Sequence, residues 1–310
     1  MAKTLGFVFP GQGSQSVGML ARHFANFKEF NNIFDISKEI TGIDFKNLIQ
    51  DGSAEELSAT KITQPLLLTA NHAIWQAANI SVKDITFMAG HSLGEYSAYI
   101  AAESLRFDDA LELVSLRAEY MQEAVEEGEG GIAAIIGLTE EVLSLICNEI
   151  TKQGDLVSMA NLNSNNQIVI SGTRDGVDKA IERCKENGAK RAIPLAMSVP
   201  SHCKLMTQAS IKFSEAIEGI DFLQPKTKVI QNFSVLHNDD AQTIKDNLVS
   251  QIHSPVRWSE TMEYFQNNGI TDFYECGPST VLSGLVKRKF ESVQIHSLDN
   301  FDTLNKITVS

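Results

Sequence analysis

The stretch ITFMAGHSLGEY, residues 85–96, decides how this chain folds. Ile85 to Ala89 is a short apolar run of buried-strand type, and Gly90 breaks it. A helical pattern resumes at once and runs from Leu93 to Ala102. At the junction, Gly90-His91-Ser92-Leu93-Gly94 fits G-x-S-x-G in a strand-to-helix setting, the context a nucleophile elbow requires. The reason is geometric. A sharp turn pushes one side chain out at the C-terminal edge of a sheet, and the flanking glycines leave room for it. The helix N-terminus then aims free N–H groups at the serine.

Working outward, other short strands alternate with helices. Leu5 to Phe9 reads as a strand stopped by Pro10-Gly11, and Ser14 as a helix cap. Leu57 to Ala78 reads as largely helical. Asp108 to Glu123 reads as a helix with Asp108 as cap. Glu126 to Gly131 (EEGEGG) reads as a linker. Beyond it come strand 132–136, helix 139–151, strand 156–160, strand 167–171, helix 175–187 and strand 191–196. The order βαββαβ is the ferredoxin-like unit. After Pro200 the first rhythm returns. Helices are expected at 201–218, 240–252, 258–267 and 278–288, and strands at 229–232 and 272–275. The fold class is therefore α/β. A parallel sheet covered on both faces forms a large domain, 1–127 and 198–310, with a small domain inserted at 128–197.

With 310 residues, 43% hydrophobic and 21% charged, the chain can bury a large core unaided. Its 26 basic and 39 acidic residues leave a net charge of −13. Such a surface repels phosphate backbones and anionic lipid, so nucleic-acid and membrane binding are not expected. Cys147, Cys184, Cys203 and Cys276 lack CxxC spacing and read as reduced, buried thiols. No signal peptide or spanning segment is read, so the expected location is cytoplasmic.

A nucleophilic serine needs a base. His202, in VPSHC at 199–203, lies where the chain leaves the small domain, and clefts form at such junctions. His253 and His296 are live rivals. His23 and His72 sit in helical patterns as packing or surface residues. His91 adjoins the serine across a tight turn, which suits a substrate contact better than a base. PGQGSQ at 10–15 lacks a dinucleotide fingerprint. It is either a second N–H for an oxyanion hole or a plain tight turn. Arg117 lies among Leu111, Val114, Ala118 and Met121. It is a surface or structural residue unless its head reaches the cleft, where it could grip a carboxylate with two hydrogen bonds.

Together PGQGSQ, TQP at 63–65, GHSLGEY at 90–96, Arg117, NLNS at 161–164, VPSHC, QIHSPVRW at 251–258 and ECGP at 275–278 resemble the malonyl-CoA:acyl carrier protein transacylase family of fatty-acid synthesis. The resemblance covers nearly the whole chain. It implies an α/β-hydrolase-like core carrying a ferredoxin-like insert. It implies malonyl transfer from malonyl-CoA to the phosphopantetheine thiol of acyl carrier protein through malonyl-Ser92. His202 would be the base, held by the main-chain carbonyl of Gln251, so that the unit is a Ser–His dyad without an acidic member. The N–H groups of Gln12 and Leu93 would form the oxyanion hole. Arg117 would clamp the malonyl carboxylate, with Gln64, His91 and Asn163 lining the pocket. No metal or other cofactor is implied, and a monomer is expected. Acyl carrier protein is acidic, so docking on this acidic chain needs a local basic patch. Lys287-Arg288-Lys289 and Lys190-Arg191 are the dense basic runs. An esterase on the same core, a non-catalytic coenzyme A module and a methylmalonyl-type acyltransferase are the alternatives.

Overall fold

The five-stranded parallel sheet is built from β1 (Leu5–Phe9), β2 (Phe87–Gly90), β7 (Lys228–Ile230), β8 (Asp272–Glu275) and β9 (Gln294–Ser297), in the order β7-β2-β1-β8-β9. These strands belong to a computed structural model that describes residues 4–197, 199–290 and 293–309. The expected large-domain limits at 1, 198 and 310 lie outside the described residues. Phe9 pairs with Gly90 and Val8 with Glu275, so β1, β2 and β8 end at one edge. Three loops therefore leave that edge together, which is where ligands bind in open parallel sheets.

Helices cover both faces: α1 (Ala21–Asn26), α2 (Lys28–Thr41), α3 (Phe45–Asp51), α4 (Ala54–Ser58), α5 (Thr60–Ala78), α6 (Gly94–Ala101), α7 (Phe107–Glu123), α10 (Thr207–Glu218), α11 (Ala241–His253), α12 (Trp258–Asn267), α13 (Val281–Lys289) and α14 (Phe301–Val309). Almost all of α5 is buried, which explains its weak amphipathic period: a helix enclosed on all sides has no solvent face to set against an apolar one. Phe7 and Phe9 of β1 pack edge-on against Trp75 of α5. Both phenylalanines are fully buried, a gain of about 2–3 kcal/mol for each ring removed from water.

The second sheet holds β3 (Gly130–Ile136), β4 (Val157–Ser164), β5 (Gln167–Thr173) and β6 (Arg191–Pro194), antiparallel in the order β4-β5-β3-β6. With α8 (Glu140–Lys152) and α9 (Arg174–Glu186) on one face, this is the ferredoxin-like arrangement. Alternation along the strands sends Ala133, Ile135, Ile168 and Ile170 toward those helices. Ile132, Ala160 and Val169 face the other way. The two sheets are tied together. Leu162 N–H donates to Val256 O, Val256 N–H to Ala160 O, and Ser171 Oγ to Ser201 O, at 2.9, 2.9 and 2.7 Å.

Several local expectations change. Ser14 does not cap a helix: its Oγ donates to Gly11 O at 2.7 Å, and α1 starts only at Ala21, after Leu20 at φ +62°. Arg106, not Asp108, precedes α7, and Asp108 sits in its first turn. Helix 57–78 is interrupted at Ala59 between α4 and α5. The expected helix from Ser201 begins at Thr207, because His202 takes φ +61°. The four cysteines are buried and unpaired. No described helix is long and apolar enough to cross a membrane.

Candidate active site

β2 ends at Gly90 and α6 begins at Gly94, and between them Ser92 has φ +52°. Neither glycine can carry a side chain. A Cβ on Gly90 would stand 1.8 Å from the Gly94 carbonyl carbon, and one on Gly94 would stand 2.0 Å from Phe9 O. The left-handed serine is held by Asn232 in the loop after β7. Ser92 N–H donates to Asn232 Oδ1, and Asn232 Nδ2 donates to Gly90 O, both at 2.7 Å. Asn232 is fully buried. Asn232→Ala strips partners from two buried backbone groups and should cost about 2–4 kcal/mol of stability, measured by urea unfolding. A loss below about 0.5 kcal/mol would mean that the elbow holds itself.

Ser92 Oγ lies 2.7 Å from His202 Nε2. His202 Nδ1 lies 2.8 Å from the main-chain oxygen of Gln251. A carbonyl only accepts, so Nδ1 carries the proton and Nε2 offers its lone pair to the serine O–H. Burial, helped by the Arg117 charge, brings the His202 imidazole down to about 3. It is therefore neutral at ordinary pH, the state that can take a proton. No carboxylate bonds to His202 among the described residues.

The loop after β1 crosses directly over the elbow. A Cβ on Gly11 would lie 2.4 Å from His91 O and 3.6 Å from Leu93 N. Gln12 and Leu93 both line the cavity that opens above Ser92. Their backbone N–H groups meet no acceptor among the described residues, whereas Gln12 anchors its side chain on Thr60 Oγ1 at 3.2 Å. Two unused donors beside a serine can stabilise an oxyanion, each worth roughly 3–4 kcal/mol.

Arg117 reaches inward from α7 and is only 1% exposed. Its Nη1 donates to Gln64 Oε1 at 2.5 Å, and its Nη2 to Gln251 Oε1 at 3.0 Å and Ser92 Oγ at 3.2 Å. Its Nε–H has no partner among the described residues. Burial lowers the guanidinium pKa, opposed by Tyr96 and Glu95, yet arginine stays charged. A buried cation propped by neutral amides, with a donor to spare, can take a carboxylate. His91 Nε2 donates to Asn163 Oδ1 of β4 at 2.9 Å, and its ring packs 5.4 Å from Trp258. His91 thus links the elbow to the small sheet.

Every predicted site residue except Gln251 lines one cavity of about 230 Å³, and Gln251 supports it from behind. Ile132, Ala134 and Val169 of the small sheet and Leu282 and Leu285 of α13 form its apolar wall, and Arg288 borders it. The rival histidines lie elsewhere. His296 stacks on Tyr274 in β9's neighbour strand, and His253 ends α11. The sequence reading missed Asn232 and Glu95. Asn232 lies 140 residues from Ser92 with no local signal. Glu95 stands inside GHSLGEY, where an acid in the first helical turn is an ordinary dipole partner.

An acyl transferase domain matches residues 6–303. The malonyl CoA-acyl carrier protein transacylase of Salmonella typhimurium is 45% identical over 294 residues, 94% of this chain and 95% of the relative. That of Bacillus subtilis is 44% identical over 284 residues, 92% and 90% of the two chains. Among solved structures, the transacylase of Coxiella burnetii superposes with a TM-score of 0.95 at 41% identity, covering 100% of this chain and 98% of the other. A malonyl-transacylase in complex with a type II polyketide acyl-carrier protein gives 0.95 at 42%, covering 99% of each.

Proposed function

The chain belongs to the malonyl CoA-acyl carrier protein transacylases, and on that premise we propose that it transfers malonyl from malonyl-CoA to acyl carrier protein through Ser92, supplying fatty-acid elongation. The observation that carries the residue roles is a serine Oγ 2.7 Å from a neutral imidazole and 3.2 Å from a buried guanidinium. Ser92 Oγ attacks the thioester carbon while His202 Nε2 takes its proton. The N–H groups of Gln12 and Leu93 hold the oxyanion, and Arg117 holds the far carboxylate beside Gln64. The intermediate collapses to malonyl-Ser92, and His202 returns the proton to the departing coenzyme A sulfur. The phosphopantetheine thiol of the carrier protein then repeats the attack, with the same groups in reverse.

Gln251 orients the base through its carbonyl, and His91 with Asn163 closes the small-sheet side of the pocket. Intact-mass analysis tests the whole reading. Malonyl-CoA alone should leave one malonyl group on Ser92, which holo acyl carrier protein removes. Steady release of coenzyme A without an acceptor would make the chain a hydrolase instead.

The division into a large domain, 1–127 and 198–310, and a small domain, 128–197, is supported by the two sheets and their separate cores. All the groups invoked come from one chain, which supports a monomer. Four buried free thiols suit a reducing cytoplasm. For docking, Lys287 and Arg288 are exposed on α13 beside the cavity, and Arg288 borders it. Lys289 is engaged by Ser259 and Glu263. Lys190, just before β6, and Arg191, its first residue, are exposed but do not border the cavity. Reversing Lys287 and Arg288 to Glu should weaken transfer to the carrier protein about tenfold or more at low salt and spare loading from malonyl-CoA. Equal loss in both halves would remove the patch from consideration.

A further inference from the structure

Glu95 is a buried acid that the chemistry above leaves unused. It lies in the first turn of α6, three residues past Ser92, and is 1% exposed. Its Oε2 accepts from Asn232 N–H at 2.9 Å and from Gln251 Nε2 at 2.8 Å. Its Oε1 has no partner at hydrogen-bond geometry among the described residues, and Gln231 acts on the carboxylate only weakly. Glu275 offers the contrast of a structural acid. Both its oxygens are used, on Ser279 Oγ and on Leu282 and Ser283 N–H at the start of α13. A buried carboxylate left half-satisfied points to a functional use.

From Glu95, Ser92, His202 and Arg117 are each one residue away. Asn232 grips both ends of the elbow. Gln251 serves the rest: its carbonyl takes His202 Nδ1–H, its Oε1 takes Arg117, and its Nε2 donates to Ser92 O and to Glu95. An ionised carboxylate only accepts, so it fixes the Gln251 amide with nitrogen toward itself and oxygen toward Arg117.

We infer that Glu95 is the displaced acid of the Ser92–His202 pair, a positioning residue that acts through Gln251: its charge favours the imidazolium formed on His202 and offsets Arg117 without occupying its N–H groups. The inference rests on Ser92 and His202 being the reacting pair. Acylation creates a second cation beside a buried first one, and in such a medium a counter-charge remains effective beyond direct contact. Direct contact with His202 is already taken by the Gln251 carbonyl. Direct contact with Arg117 would close it to an incoming carboxylate.

The groups facing Glu95 are few. Arg117 comes from α7, and His202 stands behind Gln251, in the turn before α10. Tyr96 and Tyr99 come from its own helix, with phenols that burial holds above the working range. Burial pushes the Glu95 carboxyl up to about 7, opposed by Asn232, Gln251, Arg117 and Gln231. His202, at about 3, is neutral throughout this range. Glu95 gains its charge as pH rises through about 7, so acylation climbs there because Glu95 ionises, not because His202 loses a proton.

Single-turnover malonylation of Ser92, followed by intact mass from about pH 5.5 to about 9, tests this on the wild type and on Glu95→Gln. The wild type should rise through a limb near the Glu95 value. The variant keeps an acceptor and the shape, and should lose the limb and run about 10- to 30-fold slower on the plateau. A wild type without the limb, or a variant that retains it, overturns the inference. Should the variant not fold, imidazole NMR of the wild type decides: His202 neutral across the limb sustains the inference, and His202 titrating with it overturns it. A wild type that takes no malonyl group at Ser92 would instead defeat the proposed function.

Discussion

Ser92→Ala should take no malonyl group and should lower transfer by at least about 10⁴-fold. The substitution removes one oxygen and leaves its surroundings standing. His202 keeps its bond to the Gln251 carbonyl, and Arg117 keeps Gln64 and Gln251. Alanine meets the same left-handed strain at φ +52° as serine does. Asn232 holds the backbone rather than the hydroxyl, so the elbow stays in place. Stability should therefore shift by less than about 1 kcal/mol, and the lost activity will report chemistry alone. Intact mass and a carrier-protein transfer assay check both halves. A malonyl adduct persisting on the variant, at Ser201 or Cys203 for instance, would show that Ser92 is not the carrier.

Arg117→Ala should lower malonyl loading about 10²- to 10³-fold and swing the malonyl-to-acetyl ratio toward acetyl. Removing one partner of a buried, hydrogen-bonded charge pair costs on the order of 3–5 kcal/mol. Malonyl brings a carboxylate to that pair, and acetyl brings none. Acetyl-CoA entering the wild type leaves the guanidinium without a carboxylate, and in the variant that penalty is gone. Truncation also frees Gln64 Oε1 and Gln251 Oε1, so both substrates lose some orientation. The ratio, rather than either rate, is thus the decisive readout. Competition between malonyl-CoA and acetyl-CoA, scored by mass on Ser92, measures it directly. An unchanged ratio would mean that Arg117 supports the serine and does not choose the acyl group.

Much of this was legible in residue order. The elbow, the alternating strands and helices, and the successive elements of the βαββαβ insert are each read from period and turn chemistry among adjacent residues. The errors were also local. Ser14 had the chemistry of a helix cap, but its hydroxyl folds back onto Gly11 and keeps the β1 loop tight over the elbow. The helix expected from Ser201 starts late because His202 must turn its ring toward Ser92, and a left-handed residue cannot sit inside a helix.

Residue order alone marked Ser92 as the candidate nucleophile and set its strand-turn-helix mount, because period, glycine spacing and turn chemistry are properties of adjacent residues. Which distant side chains stand around it is fixed only by the packed fold. His202, Gln251 and Asn232 come from 110, 159 and 140 residues away. The common C-terminal edge of β1, β2 and β8, with the small sheet tied against it, is what gathers such groups. The same enclosure removes water from Arg117, His202 and Glu95. Burial sets the charge states of His202 and Glu95, and burial is a property of packing that no local stretch of residues contains.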